Sequence, residues 1–373
     1  MARDLTRQLG ALALLAFSSG CQSLIDAPFD EAHPRPAAPK CEPTKPLPPP
    51  GVQTAPGDLE ITLVASEIDV AEGTWEDGTP AYYHLGFDID DTCTGGGMAP
   101  PCVTPAWTGA DPSDGPGGVD NGVGRMLYLQ PQIFPIGLIT SELLNTRMKA
   151  GQLAPTAVIR ITNYNGILAD EDVNVELFVP QAPRGLPQTF VPRFDGTDVW
   201  PVNAEYVDNP TSAGVSAKLK EVEAYVTRQE IVARFGPGTI SFLNMPIKFL
   251  SAVLSGKLVF EAQQWRLQQA VFAGFARSDE LLRAIPYGAF ETLGIRICSN
   301  DDTYPNVKKL LCTGADAIDA TGGGPNRPCD LTTFALGIET VPAKLGAALP
   351  PPPPEVICPP EADPGNDTCA TPP

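Results

Sequence analysis

Between His84 and Cys102 the chain reads HLGFDIDDTCTGGGMAPPC, which packs three aspartates and two cysteines into one short stretch. Carboxylates at this density are the raw material of a hard-cation site. Calcium takes six to eight oxygens from carboxylates, amides and backbone carbonyls carried on flexible loops. Asp88, Asp90 and Asp91 sit at the end of the run AYYHLGFDID. Alternation turns Asp88 and Asp90 to one side and Asp91 to the other. Asp111, Asp114, Asp120 and Asn121 follow in a glycine-rich loop able to bend around an ion. The candidate calcium ligands are therefore Asp88, Asp90, Asp91, Asp120 and Asn121. The spacing is not that of an EF-hand, which needs DxDxDG followed by a bidentate glutamate. The competing expectation is a stapled acidic loop whose aspartates are solvated turn-formers.

Other chemistries find less material. A serine triad needs a histidine base, and the two histidines are His33, in a proline-rich segment, and His84, beside Tyr82 and Tyr83. There is no GxSxG, HExxH or P-loop. GPGGVDNGVG (115–124) lacks the lysine and hydroxyl of a phosphate loop. A carboxylate-pair hydrolase stays open, because 44 acidic residues always supply pairs, but nothing selects one. Trp75 in EGTWEDGTP and Trp107 in PAWTG lie in loop-like sequence, where aromatic faces can stack on sugar rings. The alternative is that they anchor loops or core. Asp301 and Asp302, and Asp316 and Asp319, read as surface acids of small turns.

The amino terminus gives an address. Arg3 and Arg7 precede the apolar run LGALALLAF (9–17), which is too short to span a bilayer. Ser18, Ser19 and Gly20 then lead to Cys21, as in a bacterial lipoprotein signal whose cysteine is acylated. Such signals usually carry leucine where Ser18 stands; the alternative is an ordinary secretory signal with Cys21 as a spare thiol. Gln22 favours the outer membrane over inner-membrane retention. A formal charge of -19 repels nucleic acid and anionic headgroups. The membrane is expected as a partner only through the lipid.

Setting Cys21 aside leaves Cys41, Cys93, Cys102, Cys298, Cys312, Cys329, Cys358 and Cys369, an even set that reads as disulfides in an exported chain. Local pairs are the cheapest guess: Cys93 with Cys102, Cys298 with Cys312, and Cys358 with Cys369. With no CxxC and almost no histidine, structural zinc has no ligand set.

The elements that must position these residues are mainly strands. Pro (42) and Gly (35) are abundant, which favours turns and short strands over long helices. LEITLVA (59–65), AVIRI (157–161) and VNVELFV (173–179) alternate, and Asn165-Gly166 marks a turn between the last two. KEVEAYV, EIVARF, GKLVFEAQ and WRLQQAVFAGFA extend the series, with Gly236-Pro237-Gly238 and Ser255-Gly256 as breaks. Two short helices are expected, at 141–151 capped by Ser141 and at 278–285 capped by Ser278, with another inside ICSNDDTYPNVKKLLC. The expected fold is mainly β, an antiparallel β-sandwich or jelly roll with a few short helices. Two smaller β-rich domains meeting near 201–217 are the alternative. The expected organisation is a signal peptide (1–20), a proline-rich tether (21–56), a β-rich domain (57–347) and a proline-rich tail (348–373), the flanks being extended and disordered.

FDIDDTCTGGG with GPGGVDNGVGRML, WRLQQAVFAGFARSDELLRAI, and ICSND followed by LLC and PCDLTTFALGIETVPAKLG resemble the uncharacterised exported lipoproteins of myxobacteria and related high-GC Gram-negative bacteria. The resemblance covers most of the folded region. It implies an address and carries over no catalytic residue. Together these readings point to a disulfide-stabilised outer-membrane lipoprotein, periplasmic or surface-facing. Its expected role is non-enzymatic binding or structure, with a glycan, an envelope component or a surface protein as partner. An extracellular hydrolase acting on carbohydrate is the competing class.

Overall fold

Alternation of apolar and polar residues builds the wall of the fold. A computed structural model describes residues 41–372, apart from 52–54, 56, 96–99, 110–112, 134–138, 187–189, 211–213, 286–296, 320–325 and 353–357. Cys21, His33 and Asp111 lie outside the described residues. The elements begin with β1 (Leu59–Asp69), α1 (Gly122–Ile133), α2 (Ser141–Lys149), β2 (Val158–Tyr164) and β3 (Ala169–Phe178). Next come β4 (Val199–Asn203), β5 (Val207–Asp208), β6 (Ser216–Ala217), β7 (Leu219–Thr227) and β8 (Glu230–Phe235). Then follow β9 (Gly238–Phe242), β10 (Met245–Phe249), β11 (Ser251–Glu261), β12 (Gln264–Arg277) and α3 (Ser278–Ala284). The chain ends through α4 (Tyr304–Thr313), β13 (Ala315–Ala317), β14 (Leu331–Pro342) and β15 (Lys344–Leu349).

The mainly β expectation holds, but the sandwich and jelly roll do not. Eight antiparallel strands run in the order β1-β2-β3-β7-β8-β11-β12-β14, and β14 returns to pair with β1. Leu63 faces Pro342 across that seam and Asp69 faces Gly337. The sheet is therefore a closed barrel with no free edge between its first and last strands. A sandwich and a barrel share the same period-two pattern; the β1–β14 pairing separates them. Cys41–Pro373 forms one compact unit, which also removes the two-domain alternative.

Inward-facing residues fill the lumen. Leu63, Ile159, Ile161, Val175, Ile231 and Leu258, from five of the strands, are all almost fully buried in one cluster. An eight-stranded barrel is just wide enough for side chains to fill it. One mouth is closed by Tyr164 and Trp265, edge to face at 5.5 Å. At the other, Leu127 of α1, Leu144 and Met148 of α2, and the β9–β10 hairpin join the same cluster. Outside the wall, Val64, Val158 and Phe178 meet Trp200 and Val202 of β4 in a second layer.

Several local expectations need correction. Ser255-Gly256 is no break but a bulge inside β11. A side chain at Gly256 would press within 2.6 Å of the Ala270 Cβ, so a glycine is needed there. Thr140, not Ser141, caps α2 by accepting from the Leu143 N–H, while Ser141 bonds to Glu72. Ser278 makes no cap and instead bonds to Thr332 inside the structure.

None of the sequence-local disulfides forms. The pairs are Cys41–Cys93, Cys102–Cys329, Cys298–Cys358 and Cys312–Cys369. The proline-rich flanks are thus partly folded down rather than free. Thr44 donates to the Gly117 carbonyl, and Tyr225 of β7 donates to that of Leu47. In the tail, Asp367 accepts from Tyr304 at 2.9 Å and pairs with Lys308 at 2.7 Å.

The filled lumen makes a prediction. Leu258→Ala should lower the unfolding free energy by about 2–5 kcal/mol in chemical denaturation. Val222→Ala, at an exposed site on β7, should stay within about 0.5 kcal/mol. Equal costs at the two positions would mean that the lumen is not close-packed.

Candidate functional site

The acidic stretch lies in the long connection between β1 and β2. Phe87 and Asp120 form an antiparallel bridge, so the DID segment and the glycine-rich loop lie side by side. Gly117 and Gly118 both have positive φ, which L side chains rarely adopt. A Cβ at Gly118 would also lie 2.9 Å from the Cys93 sulfur and 3.0 Å from the Asp88 carboxyl carbon. These glycines let the loop fold beneath the aspartates. The Cys41–Cys93 and Cys102–Cys329 bridges hold its two ends.

Asp88, Asp90 and Asp120 converge. One carboxylate oxygen from each lies within 4.8 Å of the others. Two oxygens on one calcium ion, each at about 2.4 Å, can be up to about 5 Å apart, so the spacing suits a single ion. Asp88 and Asp120 are each only 3% exposed. Loop N–H groups fix the carboxylates from one side. Ile89 and Asp90 donate to Asp120 Oδ2 at 2.8 and 3.2 Å, and Thr92 donates to Asp88 Oδ1 and Asp90 Oδ1. Among the described residues no donor reaches Asp120 Oδ1.

Asp91 and Asn121 are directed elsewhere. Asp91 is 86% exposed and pairs with Lys45 at 2.5 Å. Asn121 accepts from Gly124 and Ala335 and donates to Leu85, so it pins α1 to β14 with its hydrogen-bonding capacity used. Two further carboxylates complete the cluster. Asp114 accepts from Thr94 at 2.6 Å. Asp316, on β13, accepts from the Thr333 N–H and hydroxyl and faces Arg125 at 3.6 Å. Asp316 reads in sequence as a surface turn; it arrives here because β13 pairs with β14, and no local signal announces that.

Trp75 is half exposed and stacked on His84, ring centroids 4.9 Å apart. Thr79 and His84 share a hydrogen bond at 2.7 Å. Trp107 packs against Leu282 and its neighbours, with the Lys308 ammonium 6.0 Å from its ring centre. The two tryptophans thus lie in separate surroundings and do not form one aromatic platform. No protein-family model matches the chain, and no curated protein or solved structure is significantly similar to it. The chemistry of the site must carry the functional argument.

That chemistry is dominated by crowded negative charge. Burial, then repulsion from Asp316 and Asp88, pushes Asp90 up to about 7. Burial and the neighbouring Asp90 and Asp316 push Asp114 up to about 8. Asp120, burdened by burial and by Asp90, Asp114 and Asp316, rises to about 10. Burial raises Asp316 too, opposed by Arg125 and Thr333. Counting Asp91 on Lys45, six carboxylates face two cations, Lys45 and Arg125, among the described residues, an arrangement that a divalent ion would balance.

A pH dependence follows. Unfolded aspartate titrates near 3.9, so without a cation the folded state holds more protons than the unfolded state from about pH 4, through the raised values of Asp90 and Asp114, to that of Asp120 at about 10. Stability in chelator should therefore fall as pH rises through that window. Denaturation at about pH 5 and about pH 8 checks it, and Asp90→Asn with Asp114→Asn should flatten the fall. Stability unchanged or rising in the wild type would show that the cluster ionises without cost.

Proposed function

We propose that the protein is a calcium-stabilised lipoprotein of the outer membrane, anchored through Cys21, with a non-enzymatic binding or structural role. The convergence of Asp88, Asp90 and Asp120, with an Asp120 oxygen that no donor reaches among the described residues, carries the calcium reading. The basic and apolar start before Cys21 supports the anchor. Four disulfides suit an oxidising compartment outside the cytosol. The exported lipoproteins that the chain resembles suit the same address.

Calcium here has a structural task first. It would tie the first long connection, which carries Asp88, Asp90 and Asp120, into one rigid surface beside the barrel. A glycosidase would need two carboxylates flanking a sugar bond in an open cleft. Asp88 and Asp120 are packed under their own loops, which supports holding an ion over cleaving a glycan. The partner on the envelope would be a glycan or another surface protein.

The test uses the mature chain from residue 22, produced in an oxidising compartment. Calcium at a hundredfold over its dissociation constant should add about 2.7 kcal/mol of stability, seen as a higher melting temperature than in chelator. Asp120→Asn keeps an oxygen for the Ile89 and Asp90 N–H groups. It should abolish the calcium shift while leaving stability in chelator at or above wild type, because repulsion is relieved. A wild-type melt indifferent to millimolar calcium sinks the calcium reading. The anchor is tested separately: labelled palmitate should enter the full-length protein in its host and be lost in Cys21→Ser. Equal labelling of both would place the lipid elsewhere.

A further inference from the structure

A concave site lies on the outer wall of the barrel, beside the acidic loop. Its volume is about 420 Å³, within the range of about 300–1,000 Å³ typical of small-molecule sites. The floor follows from strand register. Arg234 of β8 sits opposite Val253 of β11, which sits opposite Ala273 of β12. Two residues along, Ser251 sits opposite Phe275. Residues two apart on a strand share a face, so Arg234, Val253, Ser251, Ala273 and Phe275 present one surface. It is the outward one: Val253 and Ala273 pack with Phe87 and Val232, apart from the lumen cluster. The segment before β1 and the acidic loop supply the remaining wall, with Lys45, Phe87, Asp88 and Asp91.

The charges sort themselves. Lys45 pairs with Asp91 and also reaches Asp88, whose carboxylate is buried. Arg234 is exposed and no carboxylate pairs with it among the described residues, in a chain whose net charge is -19. The Ser251 hydroxyl, exposed on the same face, likewise meets no side-chain or backbone partner among the described residues. A guanidinium is a fork of donors that matches a carboxylate or phosphate, and among the described residues it is the one charge of this site left for a ligand. The rest of the floor is apolar.

We propose that this site binds a small amphipathic anion, its carboxylate or phosphate head on Arg234 and Ser251 and its apolar body over Val253, Ala273 and Phe275. The assignment does not rest on calcium at the neighbouring cluster, since neither Arg234 nor Ser251 belongs to it.

Octanoate, octyl phosphate and uncharged 1-octanol serve as probes in calorimetry with the mature chain from residue 22. Octanoate or octyl phosphate should bind saturably at one site, and whichever binds tighter names the head. Octanol should bind about tenfold more weakly than the better anion, the loss of a charge-assisted pair. Arg234→Gln changes an exposed side chain and should erase that difference while leaving octanol unaffected. Ser251→Trp, also from an exposed position, should fill the floor and abolish all three. Both variants should melt like wild type. The inference is overturned if neither anion binds at millimolar concentration. It is equally overturned if Arg234→Gln binds the anion as tightly as wild type, or if Ser251→Trp does.

Discussion

The pairing of β14 with β1 is the constraint on which the rest depends. Those strands are separated by most of the chain, and joining them satisfies the last two rows of backbone donors and acceptors. It also does something less obvious. The two longest excursions from the barrel flank this seam: the first leaves the end of β1 for β2, and the second runs from β12 into the start of β14. The first carries Asp88, Asp90, Asp114, Asp120, α1 and α2; the second carries α3, α4 and Asp316. Closing the seam brings these excursions into the same sector of the surface. Arg125 of α1 can then reach the Thr313 carbonyl at the end of α4, and the Cys102–Cys329 bridge can cross between them. Barrel closure is what brings Asp316 to the carboxylates of the first excursion.

The cluster also shows how a fold can retain an arrangement that is costly by itself. Buried carboxylates lose hydration and repel one another. Each is compensated on one side by N–H or hydroxyl donors: Ile89 and Asp90 for Asp120, Thr92 for Asp88 and Asp90, Thr94 for Asp114, and Thr333 for Asp316. These donors fix orientation without removing the like-charge repulsion. Covalent bridges at Cys93 and Cys102 keep the loop from spreading to relieve it. Rigid walls around unbalanced negative charge are the condition under which a cation gains most from entering, because the protein need not reorganise to receive it.

How far all this was legible in sequence depends on the range of the interaction. The strands stand out because alternation is local: LEITLVA lies within β1, and AVIRI and VNVELFV overlap β2 and β3 to within one residue. The hairpins joining later strands do not. Arg228-Gln229, Leu243-Asn244 and Ala262-Gln263 each place two residues at positive φ, as a two-residue hairpin turn demands, mostly without the glycine or asparagine that signals one. Gly122 and Gly124 at its start and Pro131 near its end disguise α1. The disulfides misled for a different reason. Loop closure costs only about 0.6 kcal/mol more for each doubling of length, so nearness in sequence is a weak guide to pairing, and the fold decides it. Asp316 was illegible in the same way, since only the β13–β14 register delivers it.

The route by which the chain enters the barrel ties these parts together. The segment before β1 arrives at Cys41, is bridged to Cys93, and lays Thr44 against both Gly117 and Asp88. Lys45 then pairs with Asp91, and Leu47 accepts from Tyr225 on the outer wall of β7. A pull applied to the chain ahead of Cys41 would therefore reach the acidic loop first and not the end of β1. From Cys93 the load passes through the loop to Cys102, across to Cys329, and into β14 two residues later. It ends on the strand that closes the barrel, where eight antiparallel strands share it. Were the chain anchored at Cys21 as proposed, placing the staple and the acidic loop between anchor and barrel would protect the β1–β14 seam from being peeled open at the start of β1.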